Sequence, residues 1–261
     1  MSLESLLPRF ITIPPAPFLM GTPMRDLSGL AKIYGGTRES YREESPQFPL
    51  SLHAFEIADV PVTNALYAAY VHASGARAPL HWRGPQPPDA LLDHPVADVS
   101  WAEADGFCQW LSGAVFGLRR WGWPFQRAAH FRLPSEAEWE HAARGTDGRT
   151  FPWGDTWDAR LANTQEAGLA TTTRVGAYPQ GASPYGCLDM CGNVWEWTAS
   201  LDRLYPYSRH DDRERRSAEG RRILRGGCYA NPHGYARCAC RFRLGTDVHN
   251  PFLGFRLVRS S

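Results

Sequence analysis

Lysine is almost missing from this chain: Lys32 is the one lysine among 28 basic residues, so arginine carries the positive charge. No excess of either sign exists either. The 28 basic residues face 27 acidic ones, a net charge of +1, which excludes a global basic field for nucleic acid and an acidic tail. No run reaches the roughly 18 apolar residues that a membrane-spanning helix needs. The opening Met1-Ser-Leu-Glu-Ser-Leu-Leu-Pro lacks the basic start and long apolar stretch of a secretory signal, so a cytoplasmic location is expected. In a reducing compartment the six cysteines need not be bridged. A nucleophile elbow, a glycine-rich phosphate loop and a paired Cys-x-x-Cys zinc signature are all absent from the sequence.

What is present is aromatic and turn-rich. Hydrophobic residues make up 43% of 261 and ten are tryptophan, enough for one large core or two small ones. The 24 glycines and 21 prolines predict many turns and few long helices. Phe10 to Gly21 alternates and reads as an opening hairpin strand, residues 22–47 as a long loop, and Phe48 to Ile57 as a further alternating stretch with Leu50, Leu52 and Phe55 inward. Thr63 caps a helix from Asn64 to Ser74 that Gly75 stops. Ser100-Trp-Ala-Glu103 is a capping box opening a helix to about Phe116, with Ala104, Phe107, Cys108 and Leu111 on its apolar side. Ser135-Glu-Ala-Glu138 is a second box, whose helix ends at Gly145. Beyond Arg144 only short strands and loops are expected. Helices first and strands later give an α+β class, read as one domain over 1–261 without repeat or linker. Two stretches read as insertions. Phe116 to Phe131 carries Trp121, Trp123 and Phe125 for buried packing or a partner surface. Leu201 to Arg222 carries the charge run Asp211 to Arg216, read as a solvated loop.

Several strings occur in an order that resembles the formylglycine-generating enzyme, or sulfatase-modifying factor, family. They are Phe18-Leu-Met-Gly21, Val62-Thr-Asn64, His94-Pro-Val-Ala-Asp-Val-Ser-Trp101, Arg132-Leu-Pro-Ser-Glu-Ala-Glu-Trp-Glu140, Phe151-Pro-Trp-Gly-Asp155, Gly192-Asn-Val-Trp-Glu-Trp197, Arg225-Gly-Gly227 and Gly254-Phe-Arg256. The resemblance spans nearly the whole chain. It implies an irregular C-type-lectin-like fold with few helices and short antiparallel strands, and it does not by itself imply an activity.

The family's oxidases carry two cysteines just after the Arg-Gly-Gly string, suited to Cu(I). The matching positions here are Asn231 and Ala236, so copper is not expected. Its iron branch needs a His-x-x-x-His-x-Glu set that the nine histidines do not form. The remaining branch is the variable proteins of diversity-generating retroelements, in which mutated AAC codons become NNC codons that never encode Lys, Glu, Gln, Met or Trp. Residues 228–240 and 244–253 contain none of those five, where about three would be expected from their frequency of about one in seven elsewhere. The resemblance therefore implies a non-catalytic ligand-binding display protein with its variable segment within 225–258. The candidate contact residues are Cys228, Tyr229, Asn231, His233, Tyr235, Arg237, Cys238, Cys240, Asp247, His249 and Phe252, a tyrosine-and-small-residue mixture like that of a paratope. Arg241 and Arg243 read as framework. The ligand would be a protein or a surface polymer. The alternatives are an oxidoreductase with its cysteines displaced to Cys228, Cys238 or Cys240, and an invariant metal-stabilised interaction domain.

The resemblance also implies structural calcium. The first ligand set would be the Asp189 and Glu196 carboxylates with the Gly192 and Val194 carbonyls, unless Glu196 pairs with an arginine. The second would be Asn163 and the Thr164 carbonyl, completed by Glu166 and the Gly168 carbonyl. Cys238 and Cys240 would share a face if that stretch were a strand. Cys187 and Cys191 would bridge only in an oxidising compartment, and Cys108 reads as an inert core residue. His141 and Glu138, one turn apart, read as a helix-surface contact.

Overall fold

A computed structural model describes residues 2–119, 130–208 and 211–260. In chain order the elements are helix α1 (Leu3–Leu6), strands β1 (Phe10–Ile13) and β2 (Pro17–Met20), helix α2 (Leu27–Tyr34), strands β3 (Phe48–Ser51) and β4 (Phe55–Ala58), helices α3 (Asn64–Ser74) and α4 (Trp101–Arg119), strand β5 (His130–Arg132), helix α5 (Glu136–Arg144), and strands β6 (Trp195–Leu201), β7 (Arg222–Arg225), β8 (Phe242–Leu244), β9 (Leu253–Phe255) and β10 (Val258–Ser260). One sheet is ordered β1-β4-β10-β5, a ribbon pairs β2 with β3, and a third sheet is ordered β8-β7-β6-β9. The strands are short and mostly antiparallel, the α+β class expected; β6 and β9 run parallel.

The three capped helices form where their end signals stand. The Thr63 hydroxyl accepts from Leu66 N–H, and Gly75 ends α3 in the left-handed region. Ser100 and Glu103 exchange both capping-box bonds, at 3.2 and 2.9 Å. Ser135 and Glu138 do the same for α5 at 3.1 and 2.7 Å. Ala104, Phe107, Cys108 and Leu111 all lie in the core with Tyr67, Trp197 and Phe255.

Four local expectations are corrected. Phe10 to Gly21 is not one hairpin strand: it divides into β1 and β2, which pair with β4 and β3. Residues 22–47 are not a loop: they hold α2 and a 3-10 turn, Arg38–Glu44. Leu27, Leu30, Ala31 and Tyr34 stand at i, i+3, i+4 and i+7, the helical signal that was available there. The charge run is not wholly solvated, since Arg213 is buried against Asp211 and over the Tyr207 ring. Finally, α5 has no surface face. Glu138 is engaged by Arg132, and His141 is fully buried. Trp121, Trp123 and Phe125 lie outside the described residues.

His141 has a pH consequence. Its Nε2 lies 2.9 Å from the Tyr185 hydroxyl, its ring stacks on Phe18 at 4.6 Å, and its Nδ1 has no partner among the described residues. Burial holds its pKa below the ordinary 6.5. The unfolded chain therefore takes up a proton that the folded chain refuses, so its contribution is full above about 6.5 and falls as pH drops towards the folded value. We expect the urea midpoint to fall more between pH 7 and pH 5 in the native chain than in His141→Phe. Parallel profiles would dismiss this assignment.

Candidate ligand-binding site

The C-terminal segment is held by buried charge at both ends. It leaves the third sheet after β7, touches it again at β8, where Leu224 pairs with Phe242, and returns as β9 beside β6. At the first end a chain of ions runs through the core. Arg144 meets Glu140 at 2.7 Å, Glu140 meets Arg225 at 2.7 Å, Arg225 meets Glu136 at 2.8 Å, and Glu136 meets Arg241 at 2.5 Å. Arg225 also donates to the Tyr205 hydroxyl and to the carbonyls of Cys238 and Cys240, so it stitches the segment to α5. Burial works against ionised Glu136, but Arg241 and Arg225 outweigh it and hold its carboxyl below the usual range.

The two glycines after Arg225 are needed by shape. Gly226 and Gly227 have φ of +95° and +70°. A Cβ on Gly226 would stand 3.1 Å from the Trp139 ring, and one on Gly227 would stand 3.1 Å from the Ala236 backbone. At the other end Arg256 grips Glu196 through two bonds of 2.6 and 2.7 Å, both residues fully buried. In the middle Arg237 is buried against Glu44 at 2.8 and 3.1 Å, tying the segment to the stretch around α2.

These anchors sort the candidate contact residues. Cys228, Cys238 and Cys240 are buried and are corrected from contact residues to framework, while Arg237 is buried yet borders a pocket. Cys238 and Cys240 do not share a face: the stretch is not a strand, and each enters a different apolar cluster. All six cysteines are free, so Cys187 and Cys191 are not bridged. Burial pushes the Cys228 thiol up to about 11 and those of Cys238 and Cys240 up to about 12.

The others reach the surface. Tyr235, Asp247 and His249 are exposed, and Tyr229, Asn231, His233 and Phe252 are half-buried. Tyr229 and Phe252 meet edge to face at 6.5 Å, and Phe242 packs beside Trp195. Asn231, at an oxidase cysteine position, accepts from the Trp195 indole at 2.7 Å and the Cys228 thiol at 3.0 Å. Ala236, at the other position, is fully buried. His233 stacks on Trp157 at 4.6 Å and bonds Glu166 through its backbone N–H and Nδ1. His249 Nε2 lies 2.9 Å from Glu103 on α4. Tyr34, Tyr41 and Glu44 also border the segment. The sequence reading missed them because it took 22–47 as loop.

Several oxygens of the two calcium sets have partners within the chain. Both Glu196 oxygens are occupied by Arg256, and one of them also by the Trp139 indole at 2.7 Å. The arginine pairing foreseen for Glu196 is therefore present. Asp189 accepts the Gly176 N–H at 2.6 Å. In the second set both Glu166 oxygens are engaged, by His233 and by the Thr164 hydroxyl. Burial opposes ionised Glu166, yet those donors hold its carboxyl at about 2. The Thr164 carbonyl accepts from Ala167 N–H, and Gly168 ends that turn. Asn163 Oδ1 is buried without a donor among the described residues. Among the described residues no three His, Cys, Asp or Glu side chains gather to hold a metal.

The profile of the sulfatase-modifying factor enzyme 1-like domain matches residues 2–261. The chain belongs to that family. A sulfatase-modifying-factor relative from Mycobacterium tuberculosis, a formylglycine-generating enzyme, is 35% identical over 74% of this chain and 78% of its own length. A serine/threonine-protein kinase pkn1 from Chlamydia caviae is 31% identical over 87% of this chain, which spans only 36% of that protein. Two solved structures share the fold. PvdO from Pseudomonas aeruginosa has a TM-score of 0.72 at 23% identity, covering 97% of this chain and 95% of its own. Treponema denticola variable protein 1 has a TM-score of 0.68 at 24% identity, covering 95% and 94%. No helix among the described residues is long and apolar enough to cross a membrane.

Proposed function

We propose that this chain is a non-catalytic ligand-binding protein whose C-terminal segment is a diversified contact face. One observation carries the reading: the framework residues of the segment are buried in ion pairs and apolar clusters, while Tyr229, Asn231, His233, Tyr235, Asp247, His249 and Phe252 are at least partly exposed between them. A face of that kind can change residue by residue without loss of the fold, because most surface substitutions cost within about 0.5 kcal/mol. The shared fold of a variable protein is in keeping with it. A protein or surface-polymer ligand would bind through a central aromatic group with a polar rim. We place the protein in the cytoplasm, where six unbridged cysteines persist.

Sequencing the gene and its surroundings in several isolates tests the reading. Substitutions should fall at the seven exposed or half-buried positions and spare Arg225, Gly226, Gly227, Arg237 and Arg256. A near-copy template and a reverse transcriptase should lie nearby. A constant segment with no template would remove diversification and leave an invariant interaction domain. The family's oxidase activity is disfavoured here because Asn231 and Ala236 stand where its cysteines would be, and the six thiols are buried.

A further inference from the structure

A pocket of about 160 Å³ opens where the segment meets the stretch after α2. Tyr34, Tyr41, Ser40 and Glu43 form one side, and Tyr235 and the Arg237 guanidinium the other. The pocket is built rather than incidental. Arg237 is nine-tenths buried, chelated by Glu44, and within 5.3 Å of the Tyr34 ring and 5.2 Å of the Tyr41 ring. Gly234 makes room, since a Cβ there would stand 2.9 Å from Tyr34.

Its chemistry narrows the occupant. The charges are compensated pair by pair: Arg237 by Glu44, Arg241 by Glu136, and Glu43 by Arg243. An added anion would meet Glu43 and Glu44, and an added cation Arg237 and Arg241, so the occupant is uncharged. Its size is that of one six-membered ring, because a closed cavity of about 150 Å³ holds benzene. Unused hydrogen-bonding capacity is ample. Arg237 spends three of its N–H groups on Gly234 and Glu44, leaving about two of its five. Tyr34, Tyr235 and Glu43 line the same space, and the two tyrosine hydroxyls have no hydrogen-bond partner among the described residues. A phenol brings one hydroxyl and would leave most of these groups unpaired, each at about 1–3 kcal/mol when buried. A ring with several adjacent hydroxyls, each both donor and acceptor, serves them together, with its C–H face on a tyrosine ring.

Resting on the binding reading above, we infer that this pocket takes an uncharged hexose ring, the terminal unit of a surface polymer. Both the diversified segment and the stretch after α2 supply its walls. The full chain is titrated with methyl glucoside, galactoside and mannoside by saturation-transfer NMR, with p-cresol as the phenol probe. We expect one hexoside to bind saturably, and Tyr34→Phe and Tyr235→Phe each to weaken it at least about five-fold, one hydrogen bond's worth, with the thermal midpoint unchanged. Binding of p-cresol alone would replace the sugar with an aromatic side chain and overturn the inference. So would the failure of all three hexosides, or hexoside binding indifferent to both variants. The two ideas fail separately. A varying segment with no hexoside binding removes the pocket assignment alone. A constant segment with hexoside binding removes diversification alone.

Discussion

Arg225→Met lowers the thermal midpoint by roughly 10 °C. The substitution removes the central cation of the buried chain and leaves Glu136 and Glu140 with Arg241 and Arg144 alone. Breaking a buried ion pair from one side costs about 3–5 kcal/mol, because the surviving charge stays out of water. In a domain of this size each kcal/mol moves the midpoint by about 2–4 °C. The loss also frees the Cys238 and Cys240 carbonyls, so the segment loosens as the core weakens. Arg243→Met is the control: Arg243 is half-buried, pairs with Glu43 and Asp202, and such a pair contributes about 0–1 kcal/mol. Circular dichroism melts of the two variants decide the matter, and equal shifts would show that the buried chain does not anchor the segment. The pH sign is fixed by Glu136. Its carboxyl is held below the ordinary 4.5, so its contribution is full above that value and is lost as pH falls through the folded one.

None of the six thiols should react with a disulfide reagent in the folded chain at a rate near that of free cysteine. All six are buried, and the three in the C-terminal segment are pushed up to about 11 or 12. At pH 7.5 the thiolate fraction of such a group is on the order of one in a thousand or less. Reaction then waits for local opening, so labelling should be at least ~100-fold slower than in denaturant, where all six react. An oxidoreductase with displaced cysteines needs the opposite: a reachable thiolate pair that binds Cu(I). Two thiols labelling rapidly in the folded chain, with copper bound and lost on Cys228→Ser or Cys240→Ser, would install that alternative and displace the binding reading.

The accuracy of the sequence reading followed the range of the interactions involved. Capping boxes act over three residues, so Ser100, Glu103, Ser135 and Glu138 marked their helices correctly. The eight ordered strings fixed the family, and Arg241 was rightly taken as framework. The contact list was half legible. Tyr235 and Asp247 reach the surface, whereas Cys228, Cys238 and Cys240, small and apolar in character, turn inward.

The sequence by itself determined the α+β class, the ends of α3 and α5, the start of α4, the family and the departure at Asn231 and Ala236. Each is written in neighbouring residues or in the order of short strings. Only the tertiary structure decided the long-range partnerships. It joined Glu196 to Arg256 across 60 residues, and Glu44 to Arg237 across 193. It also moved α2 from loop to pocket wall. A carboxylate in a sequence carries no mark of its partner. Whether it takes a metal or a guanidinium depends on which chain returns beside it, because a buried charge must be neutralised by whatever the fold brings within reach.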